Sequence, residues 1–74
     1  MNIPWKPAKM VRFLKKHGFV EIKRYTRKGT SHIKLINPKT NRYTEVLMHK
    51  NKELKKGMEE GILKQAGLTK EARS

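Results

Sequence analysis

Hydrophobic side chains follow a helical period near the beginning of the chain. Met10, Phe13 and Leu14 fall on one side of a helix, and most of the neighbouring lysines and arginines fall on the other side. Pro7 fits the first turn of this helix, where its missing N–H group needs no partner. Gly18 follows the last periodic residue and is typical of a helix end. The pattern therefore predicts a first helix between Pro7 and Gly18.

A second helical period covers the last third of the chain. Its apolar positions recur every four residues, at Leu54, Met58, Ile62 and Ala66. Glycines at 57 and 61 disfavour a helix, so residues 52–56 are predicted as a loop that leads into it. Gly67 and Leu68 are typical of a capping glycine and the apolar residue that packs back on the helix. Residues 69–74 carry no large apolar side chain and are predicted as a loose tail.

The middle of the chain alternates between apolar and polar residues, which predicts three strands at 19–25, 31–36 and 42–48. In the first strand the alternation places Val20 and Ile22 on one face and Glu21, Lys23 and Tyr25 on the other. The inner positions of the other strands are Ile33, Leu35, Thr44, Val46 and Met48. Residues 26–30 and 37–41 have the composition of turns, and connections this short join antiparallel neighbours.

The predicted element order is helix, three strands, helix, which is an α+β fold in a single domain over residues 1–68. Two amphipathic helices cover one face of a three-stranded antiparallel sheet and leave the other face in water. Because Ile33 and Leu35 need the covered face, His32 and Lys34 must project from the open face. Any chemistry in this strand is therefore expected there.

The charge of the chain is strongly one-sided. It has 19 lysines and arginines against 6 acidic residues, all of them glutamate, which gives a net charge of +13. Such a balance predicts a polyanionic partner. Cysteine is absent, which excludes disulfides, thiol catalysis and thiolate-bound metal. No apolar run approaches the roughly 18 residues of a membrane span, and no signal-peptide core is visible, so a cytoplasmic protein without membrane contact is expected.

His32 is the candidate for chemistry. A lone histidine usually packs or is solvated, but this one is predicted beside the basic turn that contains Arg27 and Lys28. A neutral imidazole in such a patch could take the proton of a ribose 2′-hydroxyl, while the cations stabilise charge on phosphorus. We expect no metal and no cofactor, because the histidines and glutamates show no metal-ligand spacing. Tyr25 and Tyr43 could stack on unpaired bases or pack across strands.

Three stretches of the chain resemble a known family, the HicA-type toxins of bacterial and phage toxin–antitoxin modules, which are small mRNA interferases. The first is FLKKHGF at 13–19, the second is KGTSHIK at 28–34, and the third runs from HKNKELKKG at 49–57 into ILKQAGL at 62–68. Two departures stand out. Thr30 is inserted where many members pass directly from Gly to Ser, so the turn is expected to be one residue longer. Leu47 and Met48 precede the strand-three histidine, where the family often has proline.

The resemblance implies a fold similar to a double-stranded-RNA-binding domain and a metal-independent endoribonuclease that cleaves mRNA with His32 as its catalytic residue. It also implies a HicB-type antitoxin that covers His32. On this basis the RNA-binding site is expected to contain Arg27, Lys28, Gly29, Thr30, Ser31 and Lys34. A non-catalytic RNA-binding module is the main alternative. A DNA-binding regulator is a weaker one, because no helix-turn-helix pattern is present.

Overall fold

The computed structural model of the protein describes residues 5–49 and 52–72. The elements in chain order are α1 (Pro7–Lys16), β1 (Val20–Arg27), β2 (Thr30–Asn37), β3 (Arg42–His49), α2 (Lys56–Ala66) and α3 (Thr69–Ala72). The three strands form one antiparallel sheet in the order β1-β2-β3. The predicted α+β class and element order are confirmed.

The hydrophobic core lies between one face of the sheet and the helices α1 and α2. Ile33, Leu35 and Val46 are fully buried on the sheet side, and Met10 and Leu14 of α1 are fully buried against them. Burial of each such side chain stabilises the fold by about 1.5–3 kcal/mol. The other face of the sheet, which carries the alternate residues of each strand, is left without a covering element in the described part of the chain. We call it the open face.

Strand β1 departs from the predicted alternation. The register pairs Val20 with Ile36 and Tyr25 with His32, all on the open face, whereas Glu21 pairs with Leu35 on the helix side. The pairing shifts between Glu21 and Lys23, as in a β-bulge, and this reverses the alternation within the strand. The prediction that placed Val20 on the opposite face from Tyr25 is therefore wrong, and Ile22 lies in the bulge without a register partner. Val20 and Ile22 are 52% and 56% exposed.

The turn between β1 and β2 is shorter than the predicted turn at 26–30. Only Lys28 and Gly29 lie outside the strands, and their φ angles are +51° and +78°. Two consecutive positive φ angles are typical of the two-residue hairpin turns whose twist matches that of the strands. Thr30 is paired with Arg27 and with His49. The inserted threonine therefore begins β2 and does not lengthen the turn.

The helix ends follow the predicted caps. Gly67 has a φ of +71°, and the Leu68 N–H donates to the Leu63 carbonyl at 2.9 Å, which closes α2. Residues 52–55 form the loop that precedes it. The structure differs over the first part of the predicted tail, because Thr69–Ala72 form the short helix α3 and Ala72 packs against the core. The last two residues of that tail, 73 and 74, lie outside the described residues.

An ion-pair cluster fastens the end of α1 to β1. Arg24 donates two hydrogen bonds to the Glu21 carboxylate, at 2.8 and 3.1 Å, and Lys15 Nζ of α1 lies 3.5 Å from it. These bonds from Arg24, with the charges of Arg24 and Lys15, lower the pKa of Glu21 from its ordinary value. Glu21 faces the helix side of the sheet, and its charge is thereby kept away from the open face.

Candidate functional site

The open face collects polar and charged side chains from all three strands at the end where β1 turns into β2. The strand register places the following residues there: Lys23, Tyr25 and Arg27 from β1, Thr30, His32 and Lys34 from β2, and Glu45 and His49 from β3. Lysine and arginine side chains therefore share this face with three groups that can take up or release protons. These groups are His32, Glu45 and His49. His32 lies at the centre of this arrangement because β2 is the middle strand.

The imidazole of His32 is held in a defined orientation by Glu45. Its Nδ1 lies 2.8 Å from Glu45 Oε2, and the His32 side chain is 23% exposed. An ionised carboxylate only accepts hydrogen bonds, so Nδ1 carries a hydrogen and its N–H donates a hydrogen bond to Glu45. In the neutral ring, Nε2 is then the atom with a free lone pair. Within the described residues Nε2 has no hydrogen-bond partner, which leaves it available to a ligand on the open face.

Tyr25 stacks on His32 from the neighbouring strand. The two rings are parallel within 1°, with centroids 4.7 Å apart. Lys23 Nζ and Lys34 Nζ lie 5.5 and 5.8 Å from the centroid of the tyrosine ring, within the range of a cation–π contact. The sequence left open whether Tyr25 packs across strands or stacks on bases, and in this structure it packs across strands, on His32.

The turn Lys28–Gly29 and the adjoining Arg27 form the basic edge of the open face. Arg27 and Lys28 are exposed, and neither forms an ion pair with a carboxylate in the described part of the chain. Gly29 has open space around its Cα, with no atom within 4 Å of where a side chain would begin. Arg27 and Lys34 thus lie on the open face with His32, and Lys28 and Gly29 form the turn at its edge.

Thr30 and Ser31, the remaining predicted site residues, lie on opposite faces. Thr30 is on the open face, and its Oγ1 lies 2.9 Å from His49 Nδ1. Ser31 is on the helix side, where its Oγ lies 3.1 Å from Thr26 Oγ1. The serine hydroxyl is therefore not brought together with His32. The contact with Thr30 joins His49, at the end of β3, to β2.

Sequence reasoning did not identify Glu45 as a partner of His32. Glu45 is the register partner of Lys34 and therefore the diagonal neighbour of His32, which pairs with Leu47. A signal for it was present, because Glu45 is the only glutamate in the third predicted strand. Using that signal requires the register of β2 and β3, which a turn of uncertain length does not supply.

Neither a cluster of metal ligands nor a membrane-spanning helix is present in residues 5–49 and 52–72. No group of three or more histidine, aspartate or glutamate side chains in these ranges is arranged to hold a metal ion. No helix in the same ranges is long and apolar enough to cross a membrane.

The fold and the open face define a small, strongly basic α+β domain that presents a carboxylate-held histidine from a three-stranded sheet. The sequence model of a family described as HicA toxin of bacterial toxin-antitoxin matches residues 7–68. The chain therefore belongs to the HicA toxin family. This family supplies the toxin of a toxin–antitoxin module, and membership of the family implies an antitoxin partner. Searches of curated proteins and of solved structures gave no significant match.

Proposed function

We propose that this protein is a metal-independent endoribonuclease that cleaves mRNA and thereby blocks translation. The observation that carries the proposal is the arrangement of His32, whose Nδ1 is fixed by Glu45 and whose Nε2 has no partner among the described residues. A base held in one tautomer on a cationic surface is suited to chemistry on a phosphodiester. Because mRNA is translated in the cytoplasm, the proposed activity is a cytoplasmic one.

The proposed reaction uses the ribose as its own nucleophile. Nε2 of neutral His32 takes the proton of a 2′-hydroxyl, and the 2′-oxygen attacks the adjacent phosphorus. The bond from phosphorus to the 5′-oxygen breaks, which gives a 2′,3′-cyclic phosphate and a 5′-hydroxyl. Charge builds up on the phosphoryl oxygens in the transition state, and we assign its stabilisation to Arg27 and Lys34 of the open face and to Lys28 of the adjoining turn.

Single-stranded RNA is the form that suits this surface. In-line attack by a 2′-oxygen requires a sugar–phosphate backbone that can change conformation, and unpaired segments allow this more readily than a duplex. Sequence-tolerant binding of single strands combines a basic track with aromatic rings. Tyr43 is 44% exposed on the open face and can supply such a ring beyond the basic edge.

The antitoxin is proposed to be of the HicB type and to cover His32. Beside the charged part of the open face lie Val20, Ile22 and Tyr43, which are exposed by 52%, 56% and 44%. Exposed large apolar side chains next to a functional site are typical of protein–protein contacts. An acidic protein that buries them would also offset part of the +13 charge and deny RNA access to His32.

The experiment compares the wild-type protein, His32→Ala and His17→Ala on a single-stranded mRNA fragment in the presence of EDTA. His17 is a matched control, because its ring also packs on an aromatic ring, Phe13, but at the end of α1. We expect cleavage by the wild type and by His17→Ala, and a loss of roughly 10²–10⁴-fold in His32→Ala. RNA affinity should persist in all three proteins, because the phosphate contacts remain.

The alternative function is a non-catalytic RNA-binding module, for which the net charge of +13 would be sufficient. In that case wild-type protein shifts the RNA on a gel and does not shorten it at any enzyme concentration. A loss of all cleavage in EDTA, with recovery in Mg²⁺, would instead contradict the metal-independent mechanism. Equal cleavage by wild type and His32→Ala would contradict the assignment of His32.

A further inference from the structure

A second histidine on the open face, His49, is not used by the single-histidine reaction. Thr30 is the register partner of His49, and Leu47 is the register partner of His32. The two histidines are therefore diagonal neighbours across β2 and β3, and the Cα atoms of diagonal neighbours in an antiparallel pair are roughly 7–8 Å apart. Both side chains project from the same face of the sheet. This makes both rings candidates for contact with the same phosphodiester group.

The two imidazoles are held in the same way. Each is fixed through Nδ1, His32 by Glu45 Oε2 at 2.8 Å and His49 by Thr30 Oγ1 at 2.9 Å. Neither Nε2 has a hydrogen-bond partner among residues 5–49 and 52–72. The reactive nitrogen of each ring is thus the one that a substrate on the open face can reach.

The two holding groups differ in a way that divides the roles. The Glu45 carboxylate only accepts, so His32 keeps its proton on Nδ1 and offers a lone pair on Nε2 when it is neutral. The negative charge of Glu45 also stabilises the positive ring that forms when His32 takes a proton, which suits a base. The Thr30 hydroxyl is neutral and can accept from Nδ1–H of His49 before and after the Nε2 proton is lost. It therefore orients the ring without favouring its charged form, which suits a group that gives up a proton.

We propose that His49 is the general acid of the RNA cleavage, an inference that rests on the proposed function. As the 2′-oxygen bonds to phosphorus, its proton passes to His32 Nε2. As the bond from phosphorus to the 5′-oxygen breaks, the proton on His49 Nε2 passes to that oxygen. One proton is gained by His32 and one is lost by His49, and exchange with water restores both rings. Thr30 acts as a positioning residue for His49.

The role of an acid is tested by the leaving group. We would prepare two RNA oligonucleotides of one sequence, one with the ordinary 5′-oxygen and one with sulfur in place of that bridging oxygen. A thiolate leaves without protonation, so the sulfur substrate does not need a general acid. The proteins are the wild type, His32→Ala and His49→Asn. Asparagine places an amide nitrogen near the position of Nδ1, which preserves the contact with Thr30 and supplies no acidic proton.

We expect His49→Asn to lose roughly 10²–10⁴-fold on the oxygen substrate, the usual share of a positioned acid. On the sulfur substrate it should cleave within about tenfold of the wild type, whereas His32→Ala should be impaired on both substrates. Equal cleavage of the oxygen substrate by His49→Asn and wild type would overturn the proposal. It would show that His49 only joins the end of β3 to the start of β2. An equal loss on both substrates would also overturn the assignment. If the wild type cleaves neither substrate, the proposed function itself fails.

Discussion

The rings of His32 and Tyr25 lie parallel within 1°, and their centroids are 4.7 Å apart. This stack fixes the plane of the imidazole. The hydrogen bond from Nδ1 to Glu45 fixes the rotation of the ring within that plane. Two contacts from two different strands therefore determine where Nε2 points. In the proposed reaction, a group held in this way loses little entropy when it meets the reacting atom.

Replacement of Tyr25 tests the contribution of the stack. Tyr25→Leu removes the aromatic face, and Tyr25→Phe keeps it. Aromatic pairs contribute about 0.5–1.5 kcal/mol beyond their buried area, so we expect Tyr25→Leu to lower the rate constant for cleavage by roughly 2–10-fold. Tyr25→Phe should cleave at nearly the wild-type rate. Single-turnover cleavage at saturating protein gives the rate constant, and a binding titration gives the affinity.

A positioning role for Tyr25 requires the loss to fall mainly on the rate constant. If Tyr25→Leu weakens RNA binding and leaves the rate constant unchanged, the ring contacts the RNA and does not serve to orient His32. Thermal melting of both variants checks that the sheet is intact.

Glu45→Gln tests the holding of Nδ1. Glutamine can donate or accept at this position, so the tautomer of His32 is no longer fixed. Hydrogen bonds to charged groups contribute about 1.5–3 kcal/mol, and we expect a loss of roughly 10–100-fold in the cleavage rate constant. RNA binding should become slightly stronger, because a negative charge is removed from the surface that is proposed to bind phosphate. The measurement is again single-turnover cleavage beside an affinity titration.

Glu53→Gln is the matched control, because Glu53 is exposed and lies in the loop before α2. It removes the same charge without touching His32, and its rate constant should equal that of the wild type. A Glu45→Gln protein that cleaves as fast as the control would show that the carboxylate does not position His32.

The sequence predicts the helices, their caps and the face of His32, because each depends on local spacing. Helical periodicity defines α1 and α2, and glycine marks the end of α2 at Gly67. The period of two in β2 places Ile33 under the helices and His32 on the open face. These features require no knowledge of how one strand aligns with the next.

The contacts of His32 depend on register, which local spacing does not determine. Register follows from the two-residue turn at Lys28–Gly29 and from the bulge in β1, and composition alone indicated a longer turn and a regular strand. The bulge brings Lys23 and Tyr25 to the same face as Val20. The partnership of His32 with Glu45 follows from the pairing of β2 with β3, which the spacing of residues within one strand does not determine.

Binding of RNA is expected to depend strongly on salt. Each phosphate contact on a single strand contributes about −0.7 to the slope of log affinity against log salt, so about four contacts give a slope near −3. Lys28→Asn should reduce the slope by about 0.7, because it removes one exposed cation of the basic edge. Asparagine tolerates the positive φ of +51° at this position, so the turn should be preserved.

Lys64→Asn is the control for this experiment. Lys64 is exposed on α2, on the opposite side of the sheet from His32, and its loss should leave the slope unchanged. Equal reductions in the two variants would show that RNA does not select the open face. A wild-type slope close to zero would indicate that the charge serves the protein partner.

Two glycines of the last helical segment are expected to respond to alanine with opposite signs. Gly67 has a φ of +71°, and a Cβ at this position would lie 2.8 Å from Arg42 Nε. Arg42 would have to move and would lose the hydrogen bond that its Nη1 donates to the Gln65 carbonyl at 3.3 Å. Because the backbone at this position is also left-handed, which disfavours alanine, Gly67→Ala should lower the free energy of unfolding by about 1–2 kcal/mol.

Gly61 lies within α2, and no atom within 4 Å would meet its Cβ, so Gly61→Ala should raise the free energy of unfolding by up to about 1 kcal/mol. Urea denaturation measures both variants. Because α2 lies on the side of the sheet away from His32, neither variant should change the cleavage rate constant below its unfolding transition. A Gly67→Ala protein as stable as the wild type would show that this helix end does not require the left-handed glycine.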